Sequence, residues 1–230
     1  MNKIPKIVRI PARIVREIIK KGISVENGVM TFYNGSEDRI NAFKLINQIK
    51  KEIGTTLDDD EMYQIYSITK RTEKIKGDIA EVGVYKGASG RVICEMKGNR
   101  SLYLFDTFEG LPGASEEKHF EKGDFSAPLD KVKRYLGKFP NVYFYRGIFP
   151  ATSEPIVNKK FSFVHLDADL YESTLECLKF FYPRMSKGGI IISHDYVNSI
   201  GVTKAFAEFF GDKPEVFIEL CASQVLVVKL

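Results

Sequence analysis

The sequence has no tryptophan and only three cysteines in 230 residues. Cys94, Cys177 and Cys221 are an odd set without Cys-x-x-Cys spacing, so neither a disulfide framework nor a structural zinc site is supported. No run approaches the roughly 18 uninterrupted apolar residues of a spanning helix. The N-terminus alternates basic and aliphatic residues instead of opening into the apolar core of a signal peptide, and a cytoplasmic protein is expected. Internal repeats, low-complexity tracts and Pro-rich linkers are also missing. What is there, 44% hydrophobic and 28% charged residues with 17 Phe, 11 Tyr and 18 Gly, excludes a disordered tail, a collagen and a coiled coil. The length suits one α/β domain with an extension, or two very small domains.

The net charge of +4 is unevenly spread. Lys3, Lys6, Arg9, Arg13, Arg16, Lys20 and Lys21 face only Glu17 and Glu26 within the first 30 residues, and the remaining body is near neutral. A neutral body without a basic stripe argues against nucleic acid as a partner. In the arm, Ile10, Ile14, Ile18 and Ile19 fall near helical spacing between the basic residues. Such a segment, residues 1–22, suits peripheral contact with an anionic membrane or docking on another subunit. With no Trp anchor, docking is favoured and a homo-oligomer is expected.

Two zones follow. Residues 1–58 read as a basic arm with a helical extension, in which Asn41–Ile53 is amphipathic and Gly54-Thr55-Thr56 breaks the helix. Asp58-Asp59-Asp60 starts the next helix, running to Arg71, with its acids opposing the positive dipole end. Residues 59–230 form the main domain. β-type runs at Ile79–Val84, Leu102–Phe105, Val142–Tyr145, Phe161–Leu166 and Ile190–Ser193 alternate with helical stretches. Val216–Leu220 and Val225–Val228 are close enough for a hairpin. The expectation is an α/β fold: a doubly wound, mostly parallel, seven-stranded, Rossmann-like sheet with a C-terminal antiparallel hairpin.

Ligands of such sheets bind beyond the carboxyl ends of the strands. The first run ends in Glu81-Val82-Gly83-Val84-Tyr85-Lys86-Gly87-Ala88-Ser89-Gly90. Tyr85 stands where a dinucleotide fingerprint needs its second Gly for a pyrophosphate. A ligand without phosphate but with positive charge near Glu81 fits better, and S-adenosylmethionine has both properties. Asp106 lies near the offset at which an acid meets a ribose diol. Asp167 and Asp195, at the ends of two strands that should be neighbours, can converge on a hard divalent cation. Asp169-x-x-Glu172 has capping-box form, so Asp169 is expected to cap the following helix as well. Residues Leu111–Pro128 are long for a βα connection and read either as a lid or as a surface loop. His119 within them reads as a surface histidine and His165 as a satisfied core residue.

Glu81-Val82-Gly83-Val84-Tyr85-Lys86-Gly87, Phe105-Asp106-Thr107-Phe108-Glu109-Gly110-Leu111-Pro112, Leu166-Asp167-Ala168-Asp169-Leu170-Tyr171-Glu172-Ser173-Thr174 and His194-Asp195-Tyr196 occur in this order. Together they resemble the macrocin-type sugar O-methyltransferases of antibiotic biosynthesis, over about residues 60–230. The resemblance implies divalent-metal-dependent transfer of a methyl group from S-adenosylmethionine to a hydroxyl, commonly on a sugar. It implies Asp167 and Asp195 as metal ligands, with His194 beside them, and Asp169 as general base. Glu81, Gly83 and Asp106 would hold the cofactor, together with Tyr85, Gly87 and Phe108 of the same motifs and Ser89 just beyond the first. His194 stands where the family usually has a second carboxylate. Mg is the expected ion, and an imidazole there would favour Mn or another softer ion. Two other readings are a nicotinamide-dependent oxidoreductase, against which Tyr85 counts, and a non-catalytic partner protein that keeps the fold with a metal site eroded at His194.

Overall fold

The computed structural model describes the backbone of residues 23–26 and 29–32, and residues 36–113 and 121–230 in full. The basic segment 1–22, His119 and the centre of the expected lid lie outside the described residues. Among the described residues, no helix is long and apolar enough to cross a membrane.

Strands β1 (Ile23–Glu26) and β2 (Val29–Phe32) pair antiparallel, with Glu26 opposite Val29. The expectation had placed no strands here, although Asn27-Gly28 between two β-type runs is a strong short-range hairpin signal. Helix α1 (Glu37–Ile53) begins four residues before the expected start. Ser36 caps it, accepting a hydrogen bond from the Arg39 N–H at 3.3 Å, and Glu37 and Asp38 fill its first turn. Gly54, at φ 66°, ends it. Helix α2 (Asp59–Arg71) starts from a capping box between Asp58 and Glu61.

The main sheet then builds as β3 (Asp78–Val82), α3 (Ala88–Met96), β4 (Leu102–Asp106), α4 (Leu129–Leu136), β5 (Val142–Arg146) and β6 (Phe161–Leu166). It continues with α5 (Tyr171–Phe181), β7 (Met185–Ser193), α6 (Ile200–Phe210), β8 (Phe217–Glu219) and β9 (Val225–Val228). The strand order is β5-β4-β3-β6-β7-β9-β8. The first five strands of that order run parallel, and β9 is antiparallel to both β7 and β8. This is the expected seven-stranded, mostly parallel sheet. The order reverses between β3 and β6, so the crevice of a doubly wound fold opens above these two strands.

Alternation along the strands divides the core into two layers. Ile79, Leu102, Leu104, Phe163 and Ile192 pack toward α1, α2, α3 and α4. Ala80, Tyr103, Phe105, Val164 and Ile191 pack toward α5 and α6. Ala42, Phe43, Ile46 and Ile49 of α1 belong to the first layer, so the helix before residue 58 covers the same core as the sheet. Among the strand boundaries that differ from expectation, two have a clear backbone cause. β3 stops at Val82, because Gly83 turns to φ 86°. β7 starts at Met185, where a register shift against β6 and Gly188 at φ 79° let Ser186–Gly189 join the strand.

Candidate active site

A cavity of about 490 Å³ opens above the carboxyl ends of the parallel strands, within the size range of small-molecule sites. One half is walled by Gly83, Tyr85, Asp106, Thr107, Ile148 and Phe149, from the turns after β3, β4 and β5. The other half is walled by Asp167, Asp169, His194, Asp195 and Asn198, after β6 and β7, together with Leu57, Asp58 and Glu61 around the start of α2 and Ser223 from the β8–β9 turn.

In the first half, Asp106 organises two loops at once. Its Oδ2 accepts hydrogen bonds from the Val84 N–H at 2.6 Å and the Tyr85 N–H at 2.8 Å, and its Oδ1 accepts from the Phe108 N–H at 2.5 Å. An ionised carboxylate offers about four acceptor sites, so room remains for a ligand donor. Gly83 is required by close packing: a Cβ there would lie 1.8 Å from the Asp167 carbonyl oxygen. The Asp167 N–H in turn donates to Val82 at 2.8 Å, which brings the β3 turn against the β6 end.

In the second half, Asp167, Asp169 and Asp195 each offer an oxygen, and these oxygens lie within 4.8 Å of one another. Burial, followed by repulsion from the neighbouring acids, raises the Asp167 and Asp169 carboxyls well above the ordinary range. Burial raises Asp195 too, partly offset by its hydrogen bonds with Asp169 and Asp167. Among the described residues no lysine or arginine pairs with any of the three. Clustered carboxylates without a compensating cation are a hard-oxygen donor set that fits a divalent ion.

The strand ends share a backbone feature. Tyr85 after β3, Phe108 after β4, Asp169 after β6 and Asp195 after β7 all adopt left-handed conformations, at φ 49°, 57°, 58° and 57°. Each costs about 1–3 kcal/mol for a non-glycine residue and recurs where function holds the backbone in place. At Asp169 this overturns the expected cap. The N-cap of α5 is Leu170, with no side-chain cap, because the left-handed turn sends the Asp169 carboxyl to hydrogen-bond with Asp195 instead.

His194 is likewise placed differently from the expected ligand position. Its Nε2 lies 2.7 Å from the Gln224 amide nitrogen and its Nδ1 3.5 Å from Ser223 Oγ, and the third group in the acid cluster is Asp169. Burial, then His165, holds His194 well below its ordinary pKa, so its ring is neutral near pH 7. Glu81 and His165 are both fully buried, with Glu81 Oε1 2.9 Å from His165 Nδ1. Glu81 Oε2 and His165 Nε2 have no partner among the described residues, so the core histidine is only half satisfied. Glu81, Gly87, Ser89 and Phe108 lie behind the cavity wall, whereas Gly83, Tyr85, Asp106, Asp167, Asp169, His194 and Asp195 line it. Sequence reasoning missed Glu61, Asn198 and Ser223. The one available signal is the capping-box spacing Asp58-x-x-Glu61, which marks a helix start and not a site residue.

An open α/β sheet whose strand ends carry an acid-organised turn on one side and an acid cluster on the other defines a Rossmann-like protein with a small-molecule crevice at its strand ends. The chain belongs to the macrocin-O-methyltransferase (TylF) family, whose model matches residues 55–216. It is 30% identical over 146 residues to the 8-demethyl-8-(2,3-dimethoxy-alpha-L-rhamnosyl)-tetracenomycin-C 4'-O-methyltransferase of Streptomyces olivaceus, covering 56% of each chain. It is 27% identical over 142 residues to the mycinamicin III 3''-O-methyltransferase of Micromonospora griseorubida, covering 53% of this chain and 56% of that one. The chain thus spans about half the length of the curated relatives it matches. Among solved structures, the O-methyltransferase NovP superposes with a TM-score of 0.67 at 20% identity, over 95% of this chain and 98% of that one; this likeness is one of fold.

Proposed function

We propose that this protein transfers a methyl group from S-adenosylmethionine to a hydroxyl of a sugar-bearing small molecule. The observation that carries the reading is the convergence of Asp167, Asp169 and Asp195 at one end of a cavity whose other end is organised by Asp106. Family membership and a relative named for a rhamnosyl substrate support it.

The β3–β5 half holds the donor. The remaining acceptor capacity of Asp106 serves the ribose hydroxyls, and Gly83 and Tyr85 shape the wall beside them. Glu81, Gly87, Ser89 and Phe108 act from behind by fixing the two turns. Asp167 and Asp195 hold a divalent cation, Mg or Mn, and a cation bound there lowers the pKa of a nearby hydroxyl. Asp169, raised by burial and then by its acidic neighbours, takes the hydroxyl proton on its carboxylate. A carbon–oxygen bond forms as the carbon–sulfur bond breaks, and the sulfonium leaves as a neutral thioether. Rate comes chiefly from holding the nucleophile in line with the methyl carbon.

The test is release of S-adenosylhomocysteine from purified protein with S-adenosylmethionine, Mg or Mn, and a panel of glycosides with free hydroxyls. Transfer to a sugar hydroxyl that stops in EDTA, with S-adenosylhomocysteine binding retained, is the expected result. Full activity in chelator contradicts the cation role. Cofactor binding without transfer across the panel contradicts the enzyme reading.

A further inference from the structure

Glu61 belongs to a helix outside the sheet and carries no obvious chemistry, yet it is only 5% exposed and reaches the floor of the cavity. Its Oε2 accepts from the Asp58 N–H at 2.9 Å, closing the cap of α2. Its Oε1 accepts from the Ser223 hydroxyl at 2.6 Å and the Ser223 N–H at 3.2 Å. The same hydroxyl oxygen accepts from the Asp195 N–H at 3.4 Å. The Gln224 amide donates to His194 Nε2, which leaves Nδ1–H to point at Ser223 Oγ, 3.5 Å away, and at Glu61 Oε1, 3.7 Å away. Donors therefore run in one direction, from Gln224 through His194 and Ser223 to the Glu61 carboxylate, and the Asp195 backbone is attached to this chain.

Asp195 has two reasons to need such support. Its left-handed backbone, at φ 57°, is uncommon for any residue but glycine, and its carboxyl sits against two others. A strained residue keeps its geometry only where its surroundings over-determine it. The Ser223 turn accepts a hydrogen bond from the Asp195 N–H, and Glu61 fixes that turn.

We infer that Glu61 is a positioning residue for the divalent-cation site: acting through Ser223, it holds Asp195 in the orientation that converges with Asp167. This rests on the cation reading of the acid cluster. Outer groups that orient metal ligands typically contribute 10–100-fold in metal affinity. In Glu61→Gln an N–H₂ group replaces one acceptor, so whichever way the amide turns it meets the donor at Asp58 or the donors at Ser223. Ser223→Ala breaks the same link at its other end and leaves the α2 cap intact.

The experiment is Mn²⁺ titration of metal-free full-length protein, followed by electron paramagnetic resonance, beside S-adenosylhomocysteine calorimetry and thermal melts. Glu61→Gln and Ser223→Ala should each weaken Mn²⁺ binding about 10–100-fold while S-adenosylhomocysteine affinity stays within about 2-fold. Because the two groups form one link, the double variant should bind Mn²⁺ about as well as the weaker single variant. Ser36→Ala removes the remote cap of α1 and should lower the melting temperature without moving Mn²⁺ affinity. If the wild type binds Mn²⁺ and both site variants bind it equally well, the positioning role is overturned, even where their melts fall. If the wild type binds no Mn²⁺, the cation reading itself is overturned and this inference with it.

Discussion

The two halves of the cavity satisfy their acids in opposite ways. On the β3–β5 side Asp106 accepts three backbone N–H groups from two loops, so its charge is already neutralised by protein dipoles and the turn geometry stands without a ligand. On the β6–β7 side Asp167, Asp169 and Asp195 face one another, and burial with mutual repulsion raises Asp167 and Asp169. The first arrangement stores its organisation in backbone hydrogen bonds. The second stores electrostatic cost that a ligand of opposite charge removes. Gly83 is where the halves touch, with its φ of 86° and no room for a Cβ beside Asp167.

The largest effect is expected at that contact. Gly83→Ala adds left-handed strain to a backbone clash and should cost about 2–6 kcal/mol of stability, measurable by denaturant unfolding. An unperturbed variant would mean that the halves are not tightly joined. Asp169→Asn keeps the size and removes the base, so single-turnover transfer should fall about 10²–10⁴-fold. Asn caps about as well as Asp, so the capping role is tested by Asp169→Ala instead; because Asp169 does not cap α5, the melting temperature of that variant should not drop. A fold loss comparable to removing a cap would restore the capping role.

Asp106→Ala probes the satisfied half. It should weaken S-adenosylhomocysteine by about 1.5–3 kcal/mol, the range for hydrogen bonds to a charged group. Asp106→Asn, which keeps one acceptor oxygen for the loop amides, should lose less. Equal losses would show that the ligand, not the loops, accounts for both.

The smallest effect is on stability against pH. A carboxyl raised in the folded state binds its proton more tightly there than in the unfolded chain, so it stabilises at low pH and that stability is lost as pH rises through the folded value. Asp169→Asn removes such a group, so its stability relative to the wild type should improve as pH goes from about 5 to about 8 in metal-free buffer, and Mn²⁺ should abolish the trend. Glu215 behaves oppositely. Although burial works against it, hydrogen bonds from Lys229 and Tyr182 hold it at about 2. Its contribution is therefore present near neutrality and fades only in strong acid, which leaves the comparison between pH 5 and 8 clean.

Much of this contrast was legible in the sequence. The strand runs and their crossovers imply the doubly wound sheet, and chemistry concentrated at the carboxyl ends follows from that topology. Asp106, Asp167 and Asp195 could be read because the first two directly follow a β-type run and the third stands one residue beyond another. Glu61 and Ser223 could not, because they lie 162 positions apart and meet only through the packing of α2 on the β8–β9 turn. Local pattern also misled at Asp169, where capping-box spacing is the same whether a carboxyl turns toward the helix or toward Asp195. Backbone handedness decides between these, and only the folded chain shows it. His194 was misplaced for a related reason: adjacency to Asp195 along a strand end sends the two side chains in different directions, and the imidazole turns toward Gln224.

The contrast between the two halves depends on a cation completing the acid cluster. Mn²⁺ titrated into metal-free protein at pH 7.5 should bind at a single site, and Asp167→Asn and Asp195→Asn should each abolish that binding, while Asp106→Asn leaves it unchanged. Absence of binding to the wild type, or binding that survives in both Asp167→Asn and Asp195→Asn, would contradict it.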